Sequence, residues 1–293
     1  MNNKAKVIFI VGPTAVGKSE FALRFALEEG GEIVSADSMQ VYKGFDVGTS
    51  KPDMEARQGI AHYMIDVADP KADYSAAAYS AEAQAVIADI LSRGRTPVVC
   101  GGSGLYIHSL LYELDFSGRD RDRELREKLN LEAEEKGSGY LFSKLLEADP
   151  DAAAHVHPNN VKRVIRALER AYGDIESDGL RSFDNTFAAP KRYDARIIRL
   201  TAGRDELYRR IERRAEAFFE KGLVREVEGL LRSGVPPDST AMQGIGYKEV
   251  AGMLAGEYEE AEALRLVKQN TRRYAKRQET WFKRYADAEL LML

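Results

Sequence analysis

Apolar and polar residues alternate in two different rhythms along the chain. "KVIFIV" (6–11) is a short, continuous apolar run rich in β-branched residues, the mark of a strand buried on both faces. The stretch from about Lys18 to Glu29 has helical spacing and ends at Gly30-Gly31. "EIVSAD" reads as a second strand and "HYMIDV" as a third. "SAAAYSAEAQAVIADILSRG" is a helix closed by glycine, "TPVVCGG" a further strand, and "SGLYIHSLLYEL" opens the next helix. Strands that alternate with helices predict a parallel α/β sheet.

Near Phe116 the rhythm changes. "SGRDRDRELREKLNLEAEEKG" is charged and helical, and three more helical stretches follow with no strand; the last, "NNVKRVIRALERAYG", begins after His157-Pro158. "DIESDGLRSFDNTFAAPKR" reads as a loop before "DARIIRL" restores a strand. The expectation is therefore an α/β core, residues 1–115 and 193–293, carrying an all-helical insertion at 116–192. Two helices, "RDELYRRIERRAEAFFEKG" and "VREVEGLLRSG", and a long basic helix complete the core, with "AELLML" as a closing strand.

Composition adds limits. At 44% hydrophobic the 293 residues can bury a core, and a net charge of −4 argues neither for nor against nucleic acid. The single cysteine, Cys100, excludes an internal disulfide and a multi-cysteine zinc site. The short apolar run at the start has no signal-peptide pattern and cannot span a bilayer. This reads as a soluble cytoplasmic protein.

"GPTAVGKS" (Gly12, Pro13, Thr14, Ala15, Val16, Gly17, Lys18, Ser19) follows the first strand and opens the first helix. In that context its backbone N–H groups and the helix end suit phosphate oxygens. Lys18 adds charge, and the Ser19 hydroxyl suits Mg²⁺. The expected fold is thus P-loop NTPase-like, though the loop alone does not choose the phosphate compound. Asp37 ends the second strand at the sheet edge that faces the ligand crevice; a base for a second substrate and a turn or cap residue are both open readings. In "CGGSGLYI", Gly101, Gly102 and Gly104 permit close backbone approach and Ser103 could donate to phosphate. Asp66 weakly mimics a metal-binding carboxylate. The four histidines have no metal spacing.

Eight Lys or Arg and one acid lie between Arg265 and Arg284. At about 100° per residue, Arg272, Lys276 and Lys283 fall together beside Arg273, Arg277 and Arg284, with Tyr274, Trp281 and Tyr285 opposite. In "VKRVIRALER", Lys162, Arg163, Arg166 and Arg170 share one arc, and Val161, Val164, Ile165 and Leu168 the other. Two basic faces beside a phosphate loop point to a polyanion. Arg210 with Arg214, or Arg209 with Arg213, could clamp an anion; pairing with Glu206 or Glu212 is the alternative.

Taken together, "GPTAVGKS", "SADSMQVYKGFDVGTSKP", "HYMIDVADP", "YSAAAY", "GGSGLY", "HPNNVKRVIRALE", "GIGYKE" and "AKRQETWFKR" resemble, in order, the motifs of the bacterial tRNA dimethylallyltransferases. The resemblance covers nearly the whole chain. It implies transfer of a dimethylallyl group from its diphosphate to N6 of the adenosine 3′ to the anticodon, with Mg²⁺, by a monomer acting on the tRNA anticodon stem-loop. It implies Asp37, Ser103 and Arg214 as catalytic residues, with the 12–19 loop on the diphosphate and Ser19 on the metal. It implies tRNA contacts at Asp37, Ser38, Met39 and Gln40; at Lys162, Arg163, Val164, Ile165 and Arg166; at Gln243, Gly244, Ile245, Gly246, Tyr247 and Lys248; and at Lys276, Arg277, Trp281 and Lys283. Ser103 stands where many members have threonine. An isopentenyltransferase of free adenine nucleotide and a small-molecule P-loop kinase are the alternative readings.

Overall fold

In the computed structural model, which describes residues 4–114, 123–172 and 186–293, the apolar runs form a sheet. The strands are β1 (Lys6–Val11), β2 (Gly31–Ala36), β3 (His62–Tyr63), β4 (Thr96–Gly101), β5 (Asp194–Thr201) and β6 (Glu289–Met292). They lie in the order β3-β2-β4-β1-β5-β6, and every pairing is parallel. Helices α1 (Lys18–Glu28), α2 (Ala76–Ser92) and α3 (Gly104–Leu111) connect the first strands. All of β2 and nearly all of β1 and β4 are buried, which is why they read as continuous apolar runs and not as alternating ones. "HYMIDV" departs from expectation. Only His62 and Tyr63 pair with β2, because Met64 and Asp66 take positive φ and turn the chain away.

The register brings the chemistry to one edge. Val11 and Ala36 both pair with Gly101 of β4, so the residues that follow, Gly12, Asp37 and Gly102, leave the sheet side by side. β1 lies at the switch point, with β4 and β2 on one side and β5 and β6 on the other. Crevices at the carboxyl end of such a sheet are ligand sites.

The chain folds as two compact units, Met1–Tyr112 with Pro190–Leu293, and Glu113–Ala189. The second holds α4 (Arg123–Ala148), α5 (Pro150–Ala153) and α6 (Val161–Tyr172). α4 is broken at Gly137, whose φ of 82° lies outside the helical region. Leu129, Leu141, Leu145, Val164, Ile165 and Leu168 form its core. Part of the expected charged helix start (117–122) and part of the expected 174–192 loop lie outside the described residues, as does residue 116.

The first unit continues with α7 (Arg204–Glu220), α8 (Leu223–Arg232), α9 (Tyr247–Leu254) and α10 (Glu260–Phe282). No described helix is long and apolar enough to cross a membrane.

Candidate active site

The loop after β1 has the backbone its glycines allow. Gly12 has φ 151°, and a Cβ there would lie 2.5 Å from the Leu200 carbonyl oxygen. Gly17 has φ 102° at the N-cap of α1. Lys18 folds back and its ammonium donates to the Pro13 carbonyl at 2.7 Å. Burial pulls the Lys18 pKa down to about 8; the nearby Arg214 cation lowers it too, while Cys100 and Asp37 oppose the shift. Cys100 lies buried against α1, and burial pushes its thiol up to about 11, so it is not a thiolate nucleophile.

Asp37 serves the turn and also lines the crevice. Its Oδ1 accepts from the Met39 amide at 2.9 Å and the Gln40 amide at 3.4 Å. Those bonds do not use Oδ2. Asp37 lines a cavity of about 290 Å³ with Thr14, Met39, Arg214, Phe218 and Tyr274. Ser103 sits at the start of α3 but does not cap it. It accepts from the Ser38 amide at 2.8 Å and donates to the Ser38 hydroxyl at 3.0 Å. The Ser103 hydroxyl thus holds the residue next to Asp37.

The arginine question is settled by pairing. Glu206 gathers Arg209, Arg210 and Arg213 at 2.9, 2.8 and 4.0 Å. Neither arginine pair enters the crevice together, because of these four only Arg214 lines it. Burial lowers its pKa and Asp37 opposes that shift, which places the two charges in one field. Its guanidinium donates to the Thr49 carbonyl at 3.3 Å, and the Gln40 side-chain amide donates to the same oxygen at 3.2 Å. Glu226 fixes this loop by accepting from the amides of Asp46, Val47 and Gly48 and from the Tyr247 hydroxyl.

The other expected contact residues divide. Gln243, Gly244 and Ile245 line the crevice. Tyr247 lines it as well while buried and bonded to Glu226, and Gly246 is the positive-φ start of α9. Gln40 is held by Ser35 and Thr49. Lys248, Lys276, Arg277 and Lys283 are exposed, and Trp281 is half-buried. Arg272 is not on the open basic face; it pairs with Glu212 at 2.6 Å. On α6, Lys162, Arg163 and Arg166 are exposed, whereas the side chains of Val164 and Ile165 are buried in the core of the helical unit.

Gln278 lies inside "AKRQETWFKR" but faces the fold, away from the exposed cations of that helix. It is buried, accepts from the Thr14 amide at 2.8 Å and donates to the Gly102 carbonyl at 2.9 Å. A Cβ on Gly102 would lie 2.2 Å from its nitrogen. The close approach that the "GGSG" glycines permit is used here by α10, whose Gln278 and Trp281 pack against Gly102 and Gly104. A glutamine on the packing side of a basic helix was the available signal.

Among the described residues no cluster of His, Cys, Asp or Glu is placed to hold a metal ion, and Asp66 is paired with Lys51 at 2.6 Å. Ser19, exposed in the first turn of α1, offers a single neutral hard oxygen. That donor fits Mg²⁺ as part of a phosphate complex, because Mg²⁺ completes its shell with phosphate oxygens and water.

Comparison with known proteins agrees with this geometry. The family model for IPP transferase matches residues 40–285. A tRNA dimethylallyltransferase of Acetivibrio thermocellus is 48% identical over 278 residues, 95% of this chain and 88% of its own. One from Alkaliphilus metalliredigens is 46% identical over 286 residues, 98% of this chain and 91% of its own. The full-length tRNA isopentenylpyrophosphate transferase of Bacillus halodurans superposes with a TM-score of 0.73 at 38% identity, covering 99% of this chain and 90% of its own. A eukaryotic dimethylallyltransferase captured acting on tRNA gives 0.79 at 28% identity, covering 98% and 74%.

Proposed function

The chain belongs to the IPP transferase family, and from that premise we propose the reaction its crevice performs. It is a tRNA dimethylallyltransferase. The dimethylallyl group passes from dimethylallyl diphosphate to N6 of the adenosine 3′ to the anticodon, and diphosphate leaves. The observation that carries this reading is the convergence of Asp37, Arg214 and the Lys18 loop in one field at the sheet edge. Neither the free-nucleotide nor the kinase reading is carried forward.

The bond between the allyl carbon and the bridging oxygen breaks while the bond to N6 forms. Negative charge grows on the diphosphate, and Lys18 and Arg214 are placed to stabilise it. Donors fixed at a leaving group in this way are each worth about 3–4 kcal/mol. Asp37 orients the N6 amine and takes its proton as the new bond forms. Mg²⁺, held by Ser19 and the diphosphate, would supply further charge neutralisation at the leaving oxygens. The adenosine must leave its stack to reach the crevice, at a cost of a few kcal/mol. We read the partner as the anticodon stem-loop and the working form as a monomer. The test is competition between acceptors: unmodified tRNA should be prenylated and free AMP should not. Comparable rates on AMP would overturn the tRNA assignment.

Lys18 makes donor binding depend on pH. Its pKa of about 8 in the free protein must rise when a diphosphate anion sits beside the ammonium. A group with the higher pKa in the complex favours binding below its free value. Affinity for an unreactive donor analogue should therefore be full at pH 7 and fall as pH rises through about 8, by up to tenfold per unit. Calorimetric titration from pH 7 to 9.5 would show this, and a flat profile would remove Lys18 from the diphosphate site.

The helical unit is proposed to bind tRNA through its exposed cations. Replacing Lys162, Arg163 and Arg166 together with alanine should weaken tRNA binding. It should also reduce the salt slope by about 0.7–0.9 per lost phosphate contact. An unchanged slope would make this an ordinary solvated face.

A further inference from the structure

Arg214 reaches the crevice from α7, but its guanidinium is aimed by another part of the chain. It donates to the Thr49 carbonyl at 3.3 Å and stands over the Phe218 ring, 5.3 Å from its centroid. The Thr49 carbonyl belongs to a closed turn. The Thr49 hydroxyl donates to the Phe45 carbonyl at 2.6 Å, the Ser50 amide to the Val47 carbonyl at 3.1 Å and the Lys51 amide to the Asp46 carbonyl at 3.0 Å. Residues 45–51 are thereby joined into one piece. Lys51 ties one side of it to Asp66 at 2.6 Å. Glu226 ties the other. Its Oε2 accepts from the Val47 amide at 2.7 Å and the Asp46 amide at 3.2 Å, and its Oε1 accepts from the Gly48 amide at 3.3 Å and the Tyr247 hydroxyl at 2.6 Å. The Tyr247 ring lies flat on this turn, since a Cβ on Gly48 would sit 2.6 Å from its Cε2.

Successive backbone N–H groups that converge on one point make a nest for an anion. Here the anion is a side chain of the protein itself. An acid in the first turn of a helix ordinarily offsets the helix dipole, and Glu226 does stand in the first turn of α8. Both of its oxygens are nevertheless taken by donors from elsewhere, the turn 178 to 180 residues before it and Tyr247, 21 residues after it. Gly48, Thr49, Tyr247 and Arg214 line the crevice, and Glu226 stands behind them. We propose that Glu226 is a positioning residue for the diphosphate site. It sets the 45–51 turn, the Thr49 carbonyl of that turn sets Arg214, and Arg214 meets the leaving diphosphate. The line of contacts ends on a crevice cation, so a slip of the turn reaches the reacting groups. The proposal rests on the role given to Arg214 above.

Glu226→Gln keeps the size of the side chain and replaces one acceptor oxygen with an NH₂. Whichever way the amide lies, it sets a donor against at least one N–H of the turn. The kcat/KM for the diphosphate donor should fall by ~10–100-fold, the cost of a misplaced group, while the KM for tRNA stays near wild type. A double-mutant cycle identifies the route. Added to Arg214→Gln, Glu226→Gln should cost less than about 2-fold more, because its effect passes through the group already removed. Two losses that multiply in full, or wild-type donor kcat/KM in the single variant, would overturn the proposal. Glu226→Asp keeps the charge on a shorter arm and should show a smaller loss that Arg214→Gln again absorbs. It replaces Glu226→Gln in the cycle, under the same two overturning results, if the glutamine variant does not fold. Wild-type protein that makes no product on tRNA would instead sink the functional reading, and the cycle is then read from calorimetric affinity for inorganic diphosphate with Mg²⁺.

Discussion

Asp37→Asn is expected to lower turnover on tRNA by ~10²–10⁴-fold and leave tRNA binding near wild type. The geometry makes this substitution sharper than a deletion. Oδ1 of Asp37 holds the Met39 and Gln40 amides, and an asparagine can keep both bonds with its carbonyl. Its NH₂ then stands where the second carboxylate oxygen was. That group donates and cannot accept the N6 proton, so the turn survives and the base is lost. Measurement of kcat together with tRNA affinity and thermal melting separates the two roles. Near-normal turnover would return Asp37 to a turn residue alone.

Arg214→Gln is expected to reduce kcat/KM for the donor by ~10²–10³-fold. Glu206 holds Arg209, Arg210 and Arg213, so none of them replaces the missing charge without breaking an ion pair. A second consequence is specific to this site. The Arg214 cation helps to lower the Lys18 pKa, so its removal should move the pH break in donor binding upward from about 8. Loss of rate without movement of that break would place Arg214 outside the shared field. Retention of full donor specificity would remove it from the diphosphate site.

The strands were the most legible part of the fold. β1, β2 and β4 are buried on both faces, so their apolar runs needed no tertiary information, and β5 was read from the short run that buries Ile197, Ile198 and Leu200. β3 was overread because an apolar run does not reveal that Met64 and Asp66 turn left-handed. α9 went unread. It is eight residues long and buries Glu249, whose carboxylate accepts from the Gly246 amide at the helix's own start. A buried acid with a local partner hides the helical period.

In the site, position along the chain announced the loop and Asp37, because strand ends are fixed by strand lengths. Pairing across the fold was not announced. Residue arithmetic put Arg272 on the open basic face and left Arg214 indistinguishable from Arg210; the acids on α7 decided both. Gln278 and Ser103 act through neighbours more than 60 residues away in sequence, a separation that no local pattern encodes.

The most direct measurement uses buffer free of nucleotide. The protein, Mg²⁺, dimethylallyl diphosphate and unmodified tRNA are incubated, the tRNA is digested, and nucleosides and released diphosphate are quantified together. In the proposed reaction the loop, Lys18 and Arg214 recognise phosphate charge and none of them reads a purine, so no nucleotide should be required. N6-dimethylallyladenosine should appear at one anticodon-loop position, matched one for one by intact diphosphate, and added ATP should act at most as a weak competitor. An absolute need for ATP, or orthophosphate release that tracks product, would contradict the account.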